Sequence, residues 1–156
     1  MNGQDQGSTT ARGMSIIVKV VTNMLSGFLF IYGIYIVVHG HLSPGGGFAG
    51  GVIIAGVFIL RIIALGGNRE TERKSVVLSS ILEGAGGLMF MGIALAGLVL
   101  GGVFFLNIGL FPLGLPLHLY SAGLIPLCNI AIGIKVSAGL FSIFIALAGV
   151  RYWIED

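Results

Sequence analysis

The sequence predicts an all-α integral membrane protein with four transmembrane helices and both termini in the cytoplasm. Three observations lead there. First, 56% of the 156 residues are hydrophobic and only 9% are charged, with a mean hydropathy of +1.04. A water-soluble domain needs roughly 25% charged residues to build its surface. Second, the apolar residues gather into four runs, each near or above the length of about 20 residues that crosses a bilayer as a helix. Third, lysine and arginine fall on one side only of the layout these runs impose. The runs do not alternate apolar and polar residues, which excludes a transmembrane β-barrel.

Residues 1–14 are a polar N-terminal tail. The first run, Ser15–Val38, is too long for a signal-peptide core and is expected to be retained as a helix. The second runs from Phe48 to Leu65. The third, Val76–Leu106, is long enough to tilt or to project beyond the lipid. The fourth ends at Val150 and begins either at Asn129 or, with Pro126 as an internal kink, at Ser121. Residues 15–156 thus form one membrane domain with helices near 15–38, 48–65, 76–106 and 121–150. The longest polar connection is Gly66–Ser75.

Arg12, Arg61, Arg69, Arg73, Lys74 and Arg151 lie toward the side that holds the termini and the 66–75 loop. The opposite side holds His39, His41 and His118 and no lysine or arginine. The positive-inside rule therefore places loop 66–75 in the cytoplasm and the turn 39–45 on the outer side of the plasma membrane. Tyr152 and Trp153 would anchor the last helix at the cytoplasmic interface.

Lys19, Glu83 and Lys135 interrupt these apolar runs. A charge at the centre of a membrane helix costs about 2.5–3.5 kcal/mol on insertion scales, so such a residue pairs, lines a wet path or reaches an interface. Lys19, Thr22, Asn23 and Ser26 share one face of the first helix, which should turn toward protein or water. A competing reading lets Lys19 snorkel to the nearby surface while the others bond to their own backbone. Glu83 follows Ser79 and Ser80 by one turn and precedes Gly86 and Gly87 by another. Its stem is too short to snorkel well, so it is a candidate to bind a cation or proton; the alternative is a permanent ion pair.

Depth suggests the partner. Glu83 and Lys19 both lie in the cytoplasmic half, which makes Lys19 the expected intrachain partner. Lys135 is roughly 10 Å deep if its helix starts at Asn129 and about 20 Å deep if it starts at Ser121. It is expected to face another subunit.

Between the first two helices, Ser43 is expected to cap the second helix with Pro44 just inside it, and Gly45, Gly46 and Gly47 permit a sharp turn. Gly46 and Gly50, like Gly47 and Gly51, are four apart and give a face for close helix contact. His39 and His41 lack a third ligand and helical spacing, so no metal site is expected; solvated imidazoles at an interface, or a proton-shuttling His41, are the readings left. Cys128 reads as a small apolar residue of the last helix. No cofactor motif or nucleophile–base pair is present, and the formal charge of +2 is too small to argue for nucleic acid.

The segment His39–Gly51, with the string GHLSPGGGFAGG, is similar to a signature of the B subunit of Mrp-type multisubunit Na+/H+ antiporters. Asn129–Leu140, NIAIGIKVSAGL, resembles that family's last helix and contains Lys135. The resemblance spans about residues 15–150. It implies a small subunit of a large membrane assembly that exchanges Na+ and H+, with related modules in membrane-bound hydrogenase-type respiratory complexes. Any redox chemistry would then sit on other subunits, and this chain would carry no cofactor and no catalysis. Two functions stand at this point: a contribution of Glu83, Lys135, Lys19, Asn23 and His41 to ion translocation or its coupling, or a structural role in which buried charges orient neighbouring subunits.

Overall fold

The computed structural model describes residues 14–42, 44–66, 69–107 and 122–154, with the side chains of 69–72 and 149–154 left aside. Four helices make up almost all of it: α1 (Ile16–Val38), α2 (Gly46–Leu65), α3 (Arg69–Gly101) and α4 (Ile125–Ile154). Each contains a segment long and apolar enough to cross a membrane: Ile16–Val38, Gly46–Leu65, Arg73–Gly101 and Ile125–Ala148. No strand occurs among the described residues.

Several boundaries differ from the sequence reading, and α4, Ile125–Ile154, begins between the two starts expected for it. α2 begins at Gly46 with Gly45 as its N-cap, and both have positive φ, 150° and 78°. Because the helix starts two residues after Pro44, that proline lies in the turn before it rather than inside it. The expected cap, Ser43, falls outside the described residues. α3 starts at Arg69, so much of the polar connection expected over 66–75 is its opening turns. Arginine, lysine and glutamate are good helix formers, and a hydropathy pattern detects only the part of a helix that enters lipid. α3 stops at Gly101: Gly102 takes φ 74° and Phe105 φ 54°, turning the chain back so that the Phe105 ring lies 5.2 Å from that of Phe90. At the start of α4, Pro126 sits in the first turn, where its missing N–H leaves no helix bond unmade.

The helices form a layer in the order α1–α2–α4–α3. α2 packs on both α1 and α4, α3 packs only on α4, and α1 touches α4 lightly at one end. The core is made of small residues. Ala55, Ala64, Ala94, Ala131 and Ala138 are buried with Val37, Val57, Leu124 and Ile145, and among the described residues no large side chain is fully enclosed. This suits a bundle in lipid, where close backbone approach replaces the hydrophobic drive between helices. One aromatic chain crosses the layer: Phe30 of α1 meets Phe58 of α2 edge to face at 6.0 Å, and Phe58 meets Phe141 of α4 at 6.0 Å.

Candidate functional site

The glycine-rich turn is a joint between three helices. Gly47 presses on the backbone of Asn129, where a side chain would collide with the Asn129 carbonyl. One turn further, a Cβ on Gly51 would lie 2.9 Å from the Gly133 carbonyl oxygen of α4. Gly50 points the other way: its Cβ would stand 2.5 Å from Val37 Cγ2 and 2.7 Å from the Gly33 carbonyl oxygen of α1. Val37 also reaches Gly133, where an added Cβ would lie 3.0 Å away. A single valine thus fills the point at which α1, α2 and α4 meet.

Polar groups finish the helix ends around this joint. His39 ends α1, its N–H donating to the Tyr35 carbonyl at 2.9 Å while its ring stacks on Tyr35 at 4.1 Å. The Gly47 N–H donates a long 3.4 Å bond to Oδ1 of Asn129, which supplies from α4 an acceptor for the exposed start of α2. The Asn129 Nδ2 is buried with no hydrogen-bond partner. Asn107 does similar work for α4, accepting from Leu124 N–H at 2.8 Å and donating to the Ala122 carbonyl at 3.2 Å. His41 is half-buried. Among the described residues, no group of three or more His, Cys, Asp or Glu side chains could hold a metal ion. The sequence reading missed Asn129 and Asn107; the available signal was an isolated amide where an apolar helix starts or ends.

The polar stripe of α1 divides in the structure. Thr22 and Ser26 are buried, Lys19 is half-buried and Asn23 is exposed. Ser26 donates to the Asn23 carbonyl at 2.9 Å and accepts from Arg61 of α2 at 3.4 Å. The buried side of the stripe therefore serves the α1–α2 contact.

Glu83 and Lys135 come together on the α3–α4 seam. Glu83 lies ten residues into its 29-residue span, Arg73–Gly101, nearer the start than the middle, and Lys135 lies ten residues into the 24-residue span Ile125–Ala148, close to the middle. The Glu83 carboxylate rests against Gly139, where a Cβ would be 3.6 Å from its Oε1. The Lys135 backbone packs on Gly86, and its Nζ lies 3.3 Å from the Cβ position of Gly87. Helical side chains lean toward their own N-terminus. Because α3 and α4 run antiparallel, the carboxylate and the ammonium diverge, and no ion pair within 4.0 Å joins them.

The expected pairing of Glu83 with Lys19 is corrected here: α1 and α3 do not touch in the described structure. Depth along the membrane normal, which is all the sequence supplied, says nothing about which helices are neighbours. A groove of about 150 Å³ also opens near this seam, lined by Phe58, Ser79, Leu82, Ser137 and Phe141 among others. Ser79 and Ser137 donate to their own helices, at 2.9 and 3.0 Å, and Glu83 is not among its lining residues.

Comparison with known proteins places this architecture. Residues 17–149 match the family model described as a domain related to the MnhB subunit of Na+/H+ antiporter. An uncharacterized protein of Methanocaldococcus jannaschii is 38% identical over 130 residues, covering 80% of this chain and 48% of that one. A Staphylococcus epidermidis protein described as an antiporter subunit, mnhB2, is 31% identical over 74 residues, covering 44% of this chain and 52% of its own length. The chain spans about half the length of these relatives. Among solved structures, a chain of the membrane-bound sulfane sulfur reductase, an archaeal respiratory membrane complex, is similar with a TM-score of 0.70 and 29% identity over 88% of this chain and 59% of that chain. With the family model running from α1 through α4, the chain belongs to the family of domains related to the MnhB subunit of Na+/H+ antiporters.

Proposed function

We propose that the chain is a small membrane subunit of a multisubunit monovalent cation/proton antiporter, or of the antiporter-like module of a respiratory complex, and that Glu83 and Lys135 contribute to ion translocation or its coupling. In this reading it carries no catalysis of its own, and redox chemistry in a respiratory complex belongs to other subunits. The observation that supports an ionic role is the α3–α4 seam: a carboxylate and an ammonium inside apolar spans, held apart beside glycines. A charge without a close partner there is costly. Lys19, three residues inside α1, is within snorkelling reach of an interface and takes a lesser part.

A structural role would draw on the same placement of the two residues on one helix seam. The two readings separate by experiment. Cation-dependent proton transport and complex yield are measured for Glu83→Gln, Lys135→Met and the double variant. We expect Glu83→Gln to assemble and to lose transport, since the amide keeps the shape but cannot ionise. A structural pair makes the opposite forecast: Glu83→Gln strands a lysine at a cost of roughly 3–5 kcal/mol, assembly fails, and the double variant recovers both assembly and transport.

A further inference from the structure

α3 packs on α4 alone among the described helices, and beside that seam its surface carries two depressions that share Leu78. One, of about 400 Å³, is lined by Arg73, Lys74, Val77, Leu78 and Ile81. The other is the groove of about 150 Å³ over α4. Its α3 bank is Ser75, Leu78, Ser79 and Leu82, and Phe58 of α2 and Phe141 of α4 lie on its far side. Val77, Leu78, Ile81 and Leu82 are all exposed.

Length and polarity describe the occupant. Arg73 opens the membrane-crossing segment of α3, Arg73–Gly101, and Leu82 stands about 13 Å further along the helix. Phe58 and Phe141 lie toward the same end of the bundle, before the ends of their spans at Leu65 and Ala148. The depressions thus run about half-way through a hydrocarbon core of about 30 Å, the depth of one leaflet. A docked helix would need a track along the whole span, whereas an acyl chain needs only this much. The deeper part suits hydrocarbon: Ser79 and Ser137 donate to carbonyls of their own helices at 2.9 and 3.0 Å, so a chain laid over them strands no polar group. Charge is confined to the opening, where Arg73 and Lys74 are exposed. Arg73 makes no hydrogen bond or ion pair among the described residues. A guanidinium matches a phosphate with two parallel bonds, and cations at this depth attract anionic headgroups.

We infer that α3 and α4 hold one anionic phospholipid from the leaflet at the Arg73 end of the bundle. Arg73 and Lys74 bind its phosphate. One acyl chain lies in the groove between Leu78 and Phe141, the other crosses Val77 and Ile81, and Leu78 stands between them. The site is separate from the ionic reading of the seam, because Glu83 lines neither depression.

The test uses the full chain in nanodiscs of phosphatidylglycerol and phosphatidylcholine in equal amounts, with a photoreactive group on the acyl chain of one lipid or the other. The expected result is attachment at Leu78–Leu82 and Ser137–Phe141, roughly 25-fold stronger for phosphatidylglycerol, or about fivefold for each of two cations near a bilayer surface. Arg73→Gln and Lys74→Gln should each lower that preference roughly fivefold. Lys19→Gln removes a charge from α1, which does not touch α3, and should leave it unchanged. Ser137→Leu keeps every charge but fills the groove, and should abolish attachment at Phe141 while the chain stays helical by circular dichroism. Equal attachment of the two lipids overturns the inference, as does an equal loss in Lys19→Gln or undiminished attachment in Ser137→Leu. In the assembled complex a photoreactive residue at Leu78 should yield lipid adducts, and an adduct to another protein chain would assign this face to protein and overturn the inference as well.

Discussion

At the scale of single residues, what matters here is which polar groups the bundle satisfies and which it leaves open. Asn129 is a junction residue: one end of its amide accepts from the start of α2, and the other is buried without a partner. Its replacement separates capping from packing. Asn129→Ala should destabilise the protein by about 0.5–2 kcal/mol, the range for loss of a helix N-terminal acceptor, whereas Asn129→Asp keeps the acceptor and should lose less. Thermal unfolding in detergent reads both; equal losses would mean that the bond to Gly47 contributes nothing. Glu83 and Lys135 show the other side of the same principle. On antiparallel helices each side chain leans toward a different end of the bundle, so no ion pair joins these two neighbours.

At the scale of elements, helix packing depends on where the glycines sit. The chain has 27 of them, and among the described residues the helical ones include two groups that composition cannot distinguish. Gly33, Gly47, Gly50, Gly51, Gly86 and Gly133 hold the α1–α2, α2–α4 and α3–α4 contacts, while Gly27, Gly56, Gly84 and Gly92 face open space. Gly50→Ala would put a methyl 2.5 Å from Val37 Cγ2 and 2.7 Å from a carbonyl oxygen. Such overpacking typically costs about 1–3 kcal/mol. Gly56→Ala meets nothing and should be neutral or stabilise by about 0.4–1 kcal/mol through the unfolded chain. The unfolding midpoint should therefore fall for Gly50→Ala and hold or rise for Gly56→Ala, and a loss at Gly56 as large as that at Gly50 would contradict the packing described.

At the scale of the whole molecule, the α1–α2–α4–α3 layer leaves α1 and α3 as the edges among the described helices. The side on which each loop lies rests on the distribution of lysine and arginine. With Cys128 replaced by serine, a cysteine at His41 should react with an impermeant reagent applied to intact cells, and one at Thr71 should react only after the membrane is opened. The reverse labelling pattern would invert the proposed topology. The adjacency of Glu83 and Lys135 would survive that inversion, because it is set by the packing of α3 on α4.

The sequence by itself determined the class of molecule, the number of spans, the glycine turn and the chemical oddity of Glu83 and Lys135, because hydropathy and charge are local properties that a linear reading sums directly. It also carried the family, through two short strings of residues. It did not determine where α3 begins, because a charged helix outside lipid leaves no apolar trace. Nor could it show that Asn129 of α4 caps α2, or that Lys135 rather than Lys19 adjoins Glu83. Those are contacts between segments far apart in the chain, and only the lateral order of the helices decides them. That order follows from which glycine faces fit which backbones, a matter of shape that neither periodicity nor depth encodes.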